Sequence, residues 1–319
     1  MHYYEIDQPS NEATKMSDDE DETVVLKNET VVESSRAKYR VLKKLGAGGF
    51  GDVYRVEDIS AKVLCAMKVE VKKEDRRHSK LKMEIGILKM VSGERALSHF
   101  TRIIDRGKKD TYFFLVMELV GKSLQDLKMG RSDKIFSIST GLGASKQCLE
   151  AIEDLHKYGF IHRDIKPANY AAGLKDKNQL HLIYILDFGI ARKITNDVGE
   201  LKTPRTATKF KGTIKFAAMN CHLLRELGYK DDCESWFYQL IDLINIQDQL
   251  FYGIRCSETL GKILSYIDQQ QSVFFYKSED LYAQWYCDKI DYFYIYQLLE
   301  AGAKECGGDI NAPYDWERD

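Results

Sequence analysis

The sequence predicts an α+β protein in which a strand-rich first part precedes a helix-rich second part. Residues 39–45, 53–58 and 63–71 are rich in apolar residues and are separated by turn residues, which is the pattern of an antiparallel sheet. Apolar residues at helical spacing recur in much of the later chain. We therefore expect two lobes with a cleft between them.

Helices and one further strand complete this prediction. A helix over residues 81–91 follows the first three strands, and residues 111–119 form an apolar strand. A second helix is predicted over residues 139–158, where Gly159 stops it. Three later segments have helical patterns, namely 233–244, 259–267 and 292–301. The first lobe should thus carry an antiparallel sheet with one helix, and the second lobe should be mainly helical.

Length and composition exclude several classes of protein. The 319 residues include 47 basic and 49 acidic side chains, so the formal charge is −2, which argues against nucleic acid as a partner of the whole domain. At 44% apolar residues the chain is too hydrophobic for wholesale disorder, and no apolar run approaches the roughly 18–20 residues that cross a bilayer. Seven scattered cysteines without a secretory signal indicate reduced thiols in a protein of the cytoplasm, or of the nucleus as well.

The first 38 residues differ from the rest. Residues 18–22 are five consecutive acids among polar residues, and this part of the chain shows no sustained periodicity. We expect a flexible acidic arm over residues 1–38, with an acidic docking tail as the alternative. The folded domain is then expected over residues 39–317, with its first lobe ending near residue 118 and its second beginning near residue 119.

A glycine-rich turn joins the first two predicted strands. Gly46, Gly48 and Gly51 lack side chains, so the backbone there can approach phosphate oxygens closely and adopt positive φ. Because a strand and not a helix follows, this is not the dinucleotide-binding fingerprint, which places phosphate at a helix N-terminus. The pattern fits a flap over a nucleotide, although an ordinary glycine-rich hairpin has the same appearance.

A lysine and a glutamate in the next two elements strengthen the nucleotide hypothesis. The period of two places Ala66 and Lys68 on one face of a strand, so that small Ala66 leaves room for a flat base while Lys68 reaches the phosphates. A surface lysine at a strand end is the simpler alternative. Glu84 lies on the inward side of the predicted helix, where a carboxylate is costly unless it is paired. We expect an ion pair between Lys68 and Glu84.

Residues 162–169, with the sequence HRDIKPAN, form the most specific segment of the chain. Asp164 can accept a proton from an attacking hydroxyl, and Lys166 can neutralise charge on a transferring phosphoryl group. Asn169 offers a side-chain carbonyl oxygen to a hard cation, and Asp187, which ends an apolar run, is a second oxygen ligand for Mg²⁺. A polar turn with a chance salt bridge is the alternative, which the length and order of the segment disfavour.

Taken in order, the glycine-rich turn, AMK, the helix glutamate, HRDIKPAN and DFG resemble the signature set of eukaryotic protein kinases. Finer features resemble the casein kinase one group, in which residues 218–220 correspond to a Ser-Ile-Asn element and residues 231–235 to a DDLES-like segment. Within that group the chain looks most like the tau-tubulin kinases, on the basis of the sequences LKMEIGILK, FSIST and PYDWE. The resemblance covers roughly residues 39–316.

The resemblance implies a two-lobed protein-kinase fold that binds ATP and Mg²⁺ between its lobes. Met117 would guard the back of the base pocket, and the backbone of Glu118 and Leu119 would hydrogen-bond the edge of the base. The implied ATP-binding residues are Leu45, Gly46, Ala47, Gly48, Gly49, Phe50, Gly51, Val53, Ala66, Lys68, Glu84, Met117, Glu118 and Leu119. The implied catalytic residues are Asp164 as the base, Lys166 at the γ-phosphate and Thr213, and the implied Mg²⁺ ligands are Asn169 and Asp187.

An active serine/threonine protein kinase is the function that these residues imply, with serine and threonine hydroxyls of protein substrates as phosphate acceptors. Arg205 matches an arginine with which the group binds acidic or pre-phosphorylated substrates, while solvated basic side chains are the alternative. An inactive pseudokinase scaffold is the alternative function, although no flap glycine, strand lysine, base or metal ligand is lost. We expect Asp164→Asn or Lys68→Met to abolish transfer and leave the fold intact. A monomer is expected, although the sequence leaves the oligomeric state open.

Overall fold

A six-stranded antiparallel sheet forms the first part of the molecule. The computed structural model describes residues 24–48, 51–72, 79–91, 97–244, 258–272 and 290–318. The strands are β1 Val31–Glu33, β2 Lys38–Gly48, β3 Gly51–Asp58, β4 Val63–Val71, β5 Ile103–Lys108 and β6 Tyr112–Glu118. Their order is β1-β2-β3-β4-β6-β5, and every neighbouring pair is antiparallel. The predicted sheet is therefore confirmed.

The sheet has a hydrophobic core on each face. Alternation along β3 buries Tyr54 and Val56 in a cluster on the outer face. Leu115 and Met117 of β6 belong instead to the main core, which continues into the second lobe. Because successive strand residues point to opposite faces, the period of two in the sequence fills both cores at once. The inner face of the sheet is the one that meets the second lobe.

Helix α1, Lys80–Val91, packs against the inner face of the sheet. Its first turn is held by Glu70, whose carboxylate accepts the backbone N–H groups of Lys80 at 2.9 Å and Leu81 at 3.0 Å. The helix buries a stripe of residues, namely Leu81, Glu84, Ile87, Leu88 and Val91. The predicted helix is confirmed, and Glu84 lies on its inward side as expected.

The expected boundary between arm and domain lies too late in the sequence. Residues 31–33 form β1, which pairs with residues 38–40 of β2, and Val32 is buried in the outer core. Val24 and Leu26 pack against the same cluster. A strand of three residues has too few alternating positions to be recognised beside an acidic run, and only its tertiary contact identifies it. The expectation of a flexible arm over residues 1–23 concerns residues outside the described ranges.

The second lobe is mainly helical, as the sequence predicts. Its helices are α2 Leu124–Met129, α3 Ile138–Lys157, α4 Met219–His222, α5 Tyr229–Ile244, α6 Glu258–Ser272 and α7 Tyr292–Glu305. Helices α3 and α5 pack together at the centre, where Trp236 is fully buried and its Nε1 donates to the carbonyl of Ser145 at 2.8 Å. The four helices predicted from spacing in this lobe are all present, and most extend a few residues further than predicted. None of the helices in the described part of the chain is both long and apolar enough to cross a membrane.

Two short strand pairs position the loops that face the first lobe. β7, Phe160–Ile161, pairs with β10, Arg192–Lys193, and β8, Tyr170–Ala172, pairs with β9, Ile183–Ile185. These pairs begin and end at the segments 162–169 and 186–191. Because both segments are connected to the same strand pairs, they lie side by side. The two motifs that the sequence singles out are therefore neighbours in space.

Candidate active site

The glycine-rich turn connects β2 to β3, as predicted for a flap. Gly51 has a φ of 118°, and a Cβ at this position would lie 2.2 Å from the carbonyl oxygen of Val69, so only glycine fits. A Cβ at Gly46 would meet no other atom within 4 Å, so the described fold itself does not require glycine there. Gly49 and Phe50 lie outside the described residues. The predicted flap residues that end β2 are Leu45, Gly46, Ala47 and Gly48.

Lys68 joins both lobes through two carboxylates. Its Nζ lies 2.6 Å from Glu84 Oε2 on α1 and 2.8 Å from Asp187 Oδ1 in the second lobe. The side chains of Lys68 and Glu84 are only 7% and 4% exposed. The predicted ion pair is therefore present, and Asp187 extends it into a bridge across the cleft.

Lys68 and Asp187 stabilise each other's charged form, whereas burial and the charge of Asp187 raise the pKa of Glu84. Burial by itself would lower the pKa of Lys68, but the carboxylates of Glu84 and Asp187 outweigh burial and raise it. Burial would raise the pKa of Asp187, whereas the charge and hydrogen bond of Lys68 lower it. Lys68 is thus a cation and Asp187 an anion at neutral pH. Fixed charges in such a partly desolvated cleft act more strongly on a ligand than they would in water.

The side chains expected around a base lie next to Lys68 on the inner face of the sheet. Val53 is opposite Lys68 in the β3–β4 register, and Ala66 is opposite Met117 in the β4–β6 register. Ala66 and Met117 are both 7% exposed, and Val53 and Leu119 pack against the same core. The residues form a small apolar wall beside the phosphate-facing lysine. Its size and position suit a flat apolar ring.

The contacts of Glu118 show which of its backbone groups is open to the predicted hydrogen bond with a base. Its N–H donates to the carbonyl of Arg102 at 3.1 Å, and its carboxylate accepts the N–H of Arg102 at 2.7 Å. The N–H of Glu118 is therefore already bound and is not available to a base. Any base contact made by Glu118 must use its carbonyl oxygen.

Asp164 is the centre of the predicted catalytic loop, residues 162–169. Thr213 Oγ1 donates to Asp164 Oδ1 at 2.8 Å, and Lys166 Nζ lies 2.8 Å from Asp164 Oδ2. Lys166 Nζ also donates to Thr213 Oγ1 at 2.9 Å. Asn169 Nδ2 donates to the backbone carbonyl of Asp164 at 2.8 Å and to its Oδ2 at 3.1 Å. The structure thus brings together four residues that the sequence singled out.

The approach of Thr213 depends on the glycine before it. Gly212 has a φ of 100°, and a Cβ there would lie 2.5 Å from the carbonyl oxygen of Arg163. A larger residue would be strained and would push this segment away from the catalytic loop. The dipeptide Gly212-Thr213 is therefore required as a unit.

Asp232, the second residue of the Asp-Asp pair in α5, anchors the catalytic loop from below. Its carboxylate accepts the backbone N–H groups of His162 at 2.6 Å and Arg163 at 2.9 Å. Arg163 adopts a φ of 69°, a conformation that side chains rarely take, and these hydrogen bonds hold it there. The sequence analysis noted Asp232 only as part of a subfamily motif. Its position in the first turn of a helix whose side chains are mostly buried was the available signal.

Phe188 positions Asp187 from behind. Its ring stacks on Phe100 with centroids 5.9 Å apart and lies edge-on to His162 at 5.4 Å. The Nε2 atom of His162 in turn contacts the carbonyl oxygen of Leu186 at 3.1 Å. Asp187 itself has a φ of 66°, so the chain turns sharply at this residue. Burial of Phe188 directs the neighbouring carboxylate into the cleft.

Residues 39–280 match the family model described as the protein kinase domain. The chain belongs to this family. A Dictyostelium discoideum protein named as a probable serine/threonine-protein kinase is 30% identical over 289 residues, which cover 88% of this chain and 57% of that protein. The serine/threonine-protein kinase spe-6 of Caenorhabditis elegans is 29% identical over 313 residues, which cover 89% of this chain and 77% of spe-6. Another Caenorhabditis elegans relative, of which the chain spans 54%, is 41% identical over 182 residues.

A solved structure shows the same fold. The structure of vaccinia related kinase 3 matches with a TM-score of 0.65 at 17% identity, over 92% of this chain and 96% of that one. The predicted kinase fold is confirmed by this match and by the family model. The enzyme class predicted for the domain, a protein serine/threonine kinase, is confirmed by the family match and by the named relatives. The chain spans little more than half the length of the first relatives it matches.

The metal ligands expected in this kinase domain have suitable chemistry. Asn169 uses its amide nitrogen toward Asp164, and its carbonyl oxygen accepts no hydrogen bond from the described residues. Asp187 binds Lys68 and the backbone N–H of Gly189 through Oδ1, which leaves Oδ2 without a hydrogen bond from the described residues. In the described ranges no three His, Cys, Asp or Glu side chains form a metal-binding group. Mg²⁺ commonly takes only one or two protein oxygens and completes its shell with water and phosphate, so the pair fits that cation.

Arg205 forms an ion pair within the protein. Its Nε and second guanidinium nitrogen donate to the two carboxylate oxygens of Glu226 at 2.6 and 2.9 Å. Arg192 lies 3.3 Å from the same carboxylate, which is 4% exposed. We call Arg192, Arg205 and Glu226 the arginine cluster. Glu226 binds two donors of Arg205, but one carboxylate leaves a net charge of +1 on this cluster, and the expectation that Arg205 receives a substrate anion stays a prediction.

Proposed function

We propose that the chain is an active serine/threonine protein kinase, which transfers the γ-phosphate of ATP to serine and threonine hydroxyls of protein substrates. The convergence of Thr213, Lys166 and Asn169 on Asp164 carries this proposal. An inactive scaffold would have no need to hold a buried carboxylate between a hydroxyl, an ammonium and an amide. Lys68 and Asp187, which lie 2.8 Å apart across the same cleft, supply an ammonium for phosphate and a carboxylate for a cation.

The catalytic groups have separate tasks. Asp164 receives the proton of the attacking alcohol, and Thr213 orients its carboxylate by donating to Oδ1. Lys166 has a flexible stem, so its ammonium can leave Asp164 and neutralise charge on the transferring phosphoryl group. Little covalent chemistry is required of the protein, and positioning together with charge neutralisation lowers the barrier.

The nucleotide is proposed to lie between the flap and the apolar wall. Lys68 would hold its phosphates, while Val53, Ala66 and Met117 contact the base. Asn169 and Asp187 would hold Mg²⁺, which would neutralise phosphate charge and fix the phosphate geometry. These side chains are already held in place by partners in the protein. Binding therefore costs little reorganisation.

Transfer of radiolabelled phosphate tests this function. The purified chain is incubated with [γ-³²P]ATP, Mg²⁺ and acidic protein substrates, and the products are analysed for phosphoserine, phosphothreonine and phosphotyrosine. We expect phosphoserine or phosphothreonine with the wild type and no product with Asp164→Asn. Nucleotide binding without transfer would instead support the pseudokinase scaffold.

We further propose that acidic residues beside the target hydroxyl favour phosphorylation, through Lys209 and Lys211. Both lysines are exposed in the segment that leads to Thr213, and neither has an ion pair with any described residue. Lys215 differs, because its Nζ lies 2.6 Å from Asp242. Peptides that differ only by glutamate or glutamine upstream of the target serine test this preference. Equal rates for the two peptides would contradict it.

The subfamily placement is proposed from the segment around Asn220. Asn220 Nδ2 donates to Asp231 Oδ1 at 3.0 Å, so the element resembling Ser-Ile-Asn is fastened to the start of α5. This contact supports a place in the casein kinase one group, and the sequence resemblance supports the tau-tubulin kinases within it. Comparing phosphorylation of tubulin with that of other acidic proteins tests the finer placement. A monomeric enzyme of the cytoplasm or nucleus is proposed with it, and light scattering during gel filtration measures the oligomeric state.

A further inference from the structure

The neck of the flap, just before β2 and β3 reach the glycine-rich turn, has a weakened backbone ladder. The register between the two strands shifts on both sides of Lys44. Such irregularities interrupt regular backbone pairing and allow the strand to bend. A side-chain cluster occurs at the same level, where Asp52 Oδ2 lies 2.7 Å from Lys44 Nζ and accepts the hydroxyl of Tyr54 at 3.1 Å. We call Lys44, Asp52 and Tyr54 the neck cluster.

Asp52 and Tyr54 of the neck cluster are buried on the outer face of the sheet, whereas Lys44 is exposed. Asp52 is 6% exposed and Tyr54 is 0% exposed. Val53, between them in the chain, points to the opposite face, where the nucleotide is proposed to bind. Burial raises the pKa of Tyr54, so its hydroxyl keeps its proton and can donate. A buried carboxylate is costly unless its partners stay in place, so the cluster resists separation of the two strands.

Residues 24–37, which we call the N-terminal strap, cover the neck cluster. The backbone N–H of Leu26 donates to the hydroxyl of Tyr54 at 3.1 Å. Val24 and Leu26 pack on the outer core, and β1 adds the strap to the edge of the sheet. The family match begins only at residue 39. The contact between strap and flap is thus a feature that the matched part of the family does not account for.

We propose that Tyr54 is a positioning residue for ATP binding, and that the N-terminal strap holds it in place. Tyr54 acts through Asp52 and Lys44, which join β2 to β3 where the backbone ladder is weakened. Because the neck cluster joins β2 to β3, the ends of these two strands lose less conformational freedom when they contact phosphates, so ATP binds more tightly. Asp164 and its partners lie in the other lobe, and the chemical step should therefore be affected little. This inference rests on the proposed kinase function.

Tyr54→Phe tests the inference, because it removes one hydroxyl and keeps the ring. We expect the KM for ATP, and the Kd measured calorimetrically with Mg²⁺, to rise about three- to tenfold, the factor that corresponds to one buried hydrogen bond. The kcat should stay within about twofold of the wild type, because the variant leaves the catalytic loop unchanged. Tyr39→Phe is the matched control: Tyr39 is buried on the same face, and its hydroxyl donates to Asp105 at 3.0 Å, away from the flap.

Both variants should lose similar thermal stability, but only Tyr54→Phe should weaken ATP binding. If the KM and the Kd for ATP are unchanged in Tyr54→Phe, the inference is overturned. It is also overturned if these two constants rise equally in Tyr39→Phe. If the wild type neither binds nor uses ATP, the proposed function fails together with the inference. If the wild type binds ATP and Tyr54→Phe binds it equally well, the inference about Tyr54 is overturned and the proposed function is not.

The role of the strap is tested in the full chain by Leu26→Asp, which places a charge against the outer core. We expect a rise in the KM for ATP comparable to that of Tyr54→Phe. Because both changes act through the hydroxyl of Tyr54, the KM for ATP of the double variant should be at most slightly higher than that of either single variant. Effects that multiply in the double variant would show that the strap does not act through Tyr54, and would overturn that part of the proposal.

Discussion

Two clusters of charged residues in this kinase differ in how their charges are paired. The catalytic cluster consists of Lys68, Glu84, Asp164, Lys166 and Asp187. Its members come from a strand, a helix and two loops of both lobes, and one oxygen of Asp187 has no hydrogen bond from the described residues. In the arginine cluster, both oxygens of Glu226 are bound by guanidinium groups of the same segment of chain. The geometry of the ion pairs, and not the number of charges, therefore distinguishes a ligand site from a purely structural group of ion pairs.

The largest effect is expected from Asp164→Asn in the catalytic cluster. Asparagine keeps one acceptor oxygen, so it can replace the contact with Thr213 or with Lys166 but not both, and it cannot take up the proton of the substrate hydroxyl. The kcat should fall about 10²- to 10⁴-fold, the usual contribution of a general base. Phosphate transfer measures the loss, and calorimetry with ATP should show that nucleotide affinity remains. A variant that keeps more than about a tenth of wild-type activity would contradict the role assigned to Asp164.

Lys68→Met should affect both activity and stability. The sequence analysis expected the fold to remain intact, but the side chain of Glu84 is only 4% exposed and would be left without its cation. Breaking a buried ion pair in this way costs about 3–5 kcal/mol of unfolding free energy. Denaturant unfolding measures that loss, and phosphate transfer should become undetectable.

A second variant separates the two consequences of losing Lys68. Lys68→Met combined with Glu84→Leu removes the unpaired carboxylate, so much of the lost stability should return. Activity should stay absent, because the cation that faces the phosphates is still missing. Recovery of transfer in the double variant would show that Lys68 acts only as a structural partner of Glu84.

Glu226→Gln should have a moderate effect, and chiefly on stability. The change leaves the donors of Arg192 and Arg205 poorly satisfied, which costs about 1–3 kcal/mol. Burial would raise the pKa of Glu226, but the hydrogen bonds and charges of Arg205 and Arg192 lower it. A carboxylate with a lowered pKa stabilises the fold above the pKa of the unfolded chain and loses that effect as pH falls through its own lower pKa.

The pH dependence of Glu226→Gln therefore has a fixed sign. The difference in Tm between wild type and variant should be constant near neutral pH and should shrink below about pH 4.5, where the glutamate takes up a proton. Differential scanning calorimetry over this range measures it. A difference that grows as the pH falls would show that Glu226 is not held as an anion by the arginines.

The sequence predicted the catalytic cluster almost completely, because short motifs fix its members. Asp164, Lys166 and Asn169 lie within six residues of one another, and the ion pair of Lys68 follows from the cost of a carboxylate on a buried helix face. The sheet and the long helices followed from period and spacing. These features are local, or depend on one physical rule each.

The features that the sequence did not predict depend on long-range pairing. Glu226 pairs with Arg205 across 21 positions of the chain, and Asp232 binds the backbone of His162 across 70. Val32 is buried only because β2 is beside it. Nothing in the spacing of these residues distinguishes them from solvated side chains. Only the folded structure shows which partner each of these carboxylates binds.

The smallest effect is expected on the choice between peptide substrates, which tests whether the arginine cluster takes part in substrate binding. Lys209→Glu with Lys211→Glu should lower the rate on a peptide with an acidic residue beside the target serine by about three- to tenfold, because two exposed attractions are replaced by repulsions. The glutamine version of the peptide should be affected less. Arg205→Gln is the matched variant, and it should leave the preference between the two peptides unchanged, since Glu226 already binds that guanidinium. If Arg205→Gln abolishes the preference and the lysine variants do not, the arginine cluster opens to receive substrate, and the contrast between the two clusters fails.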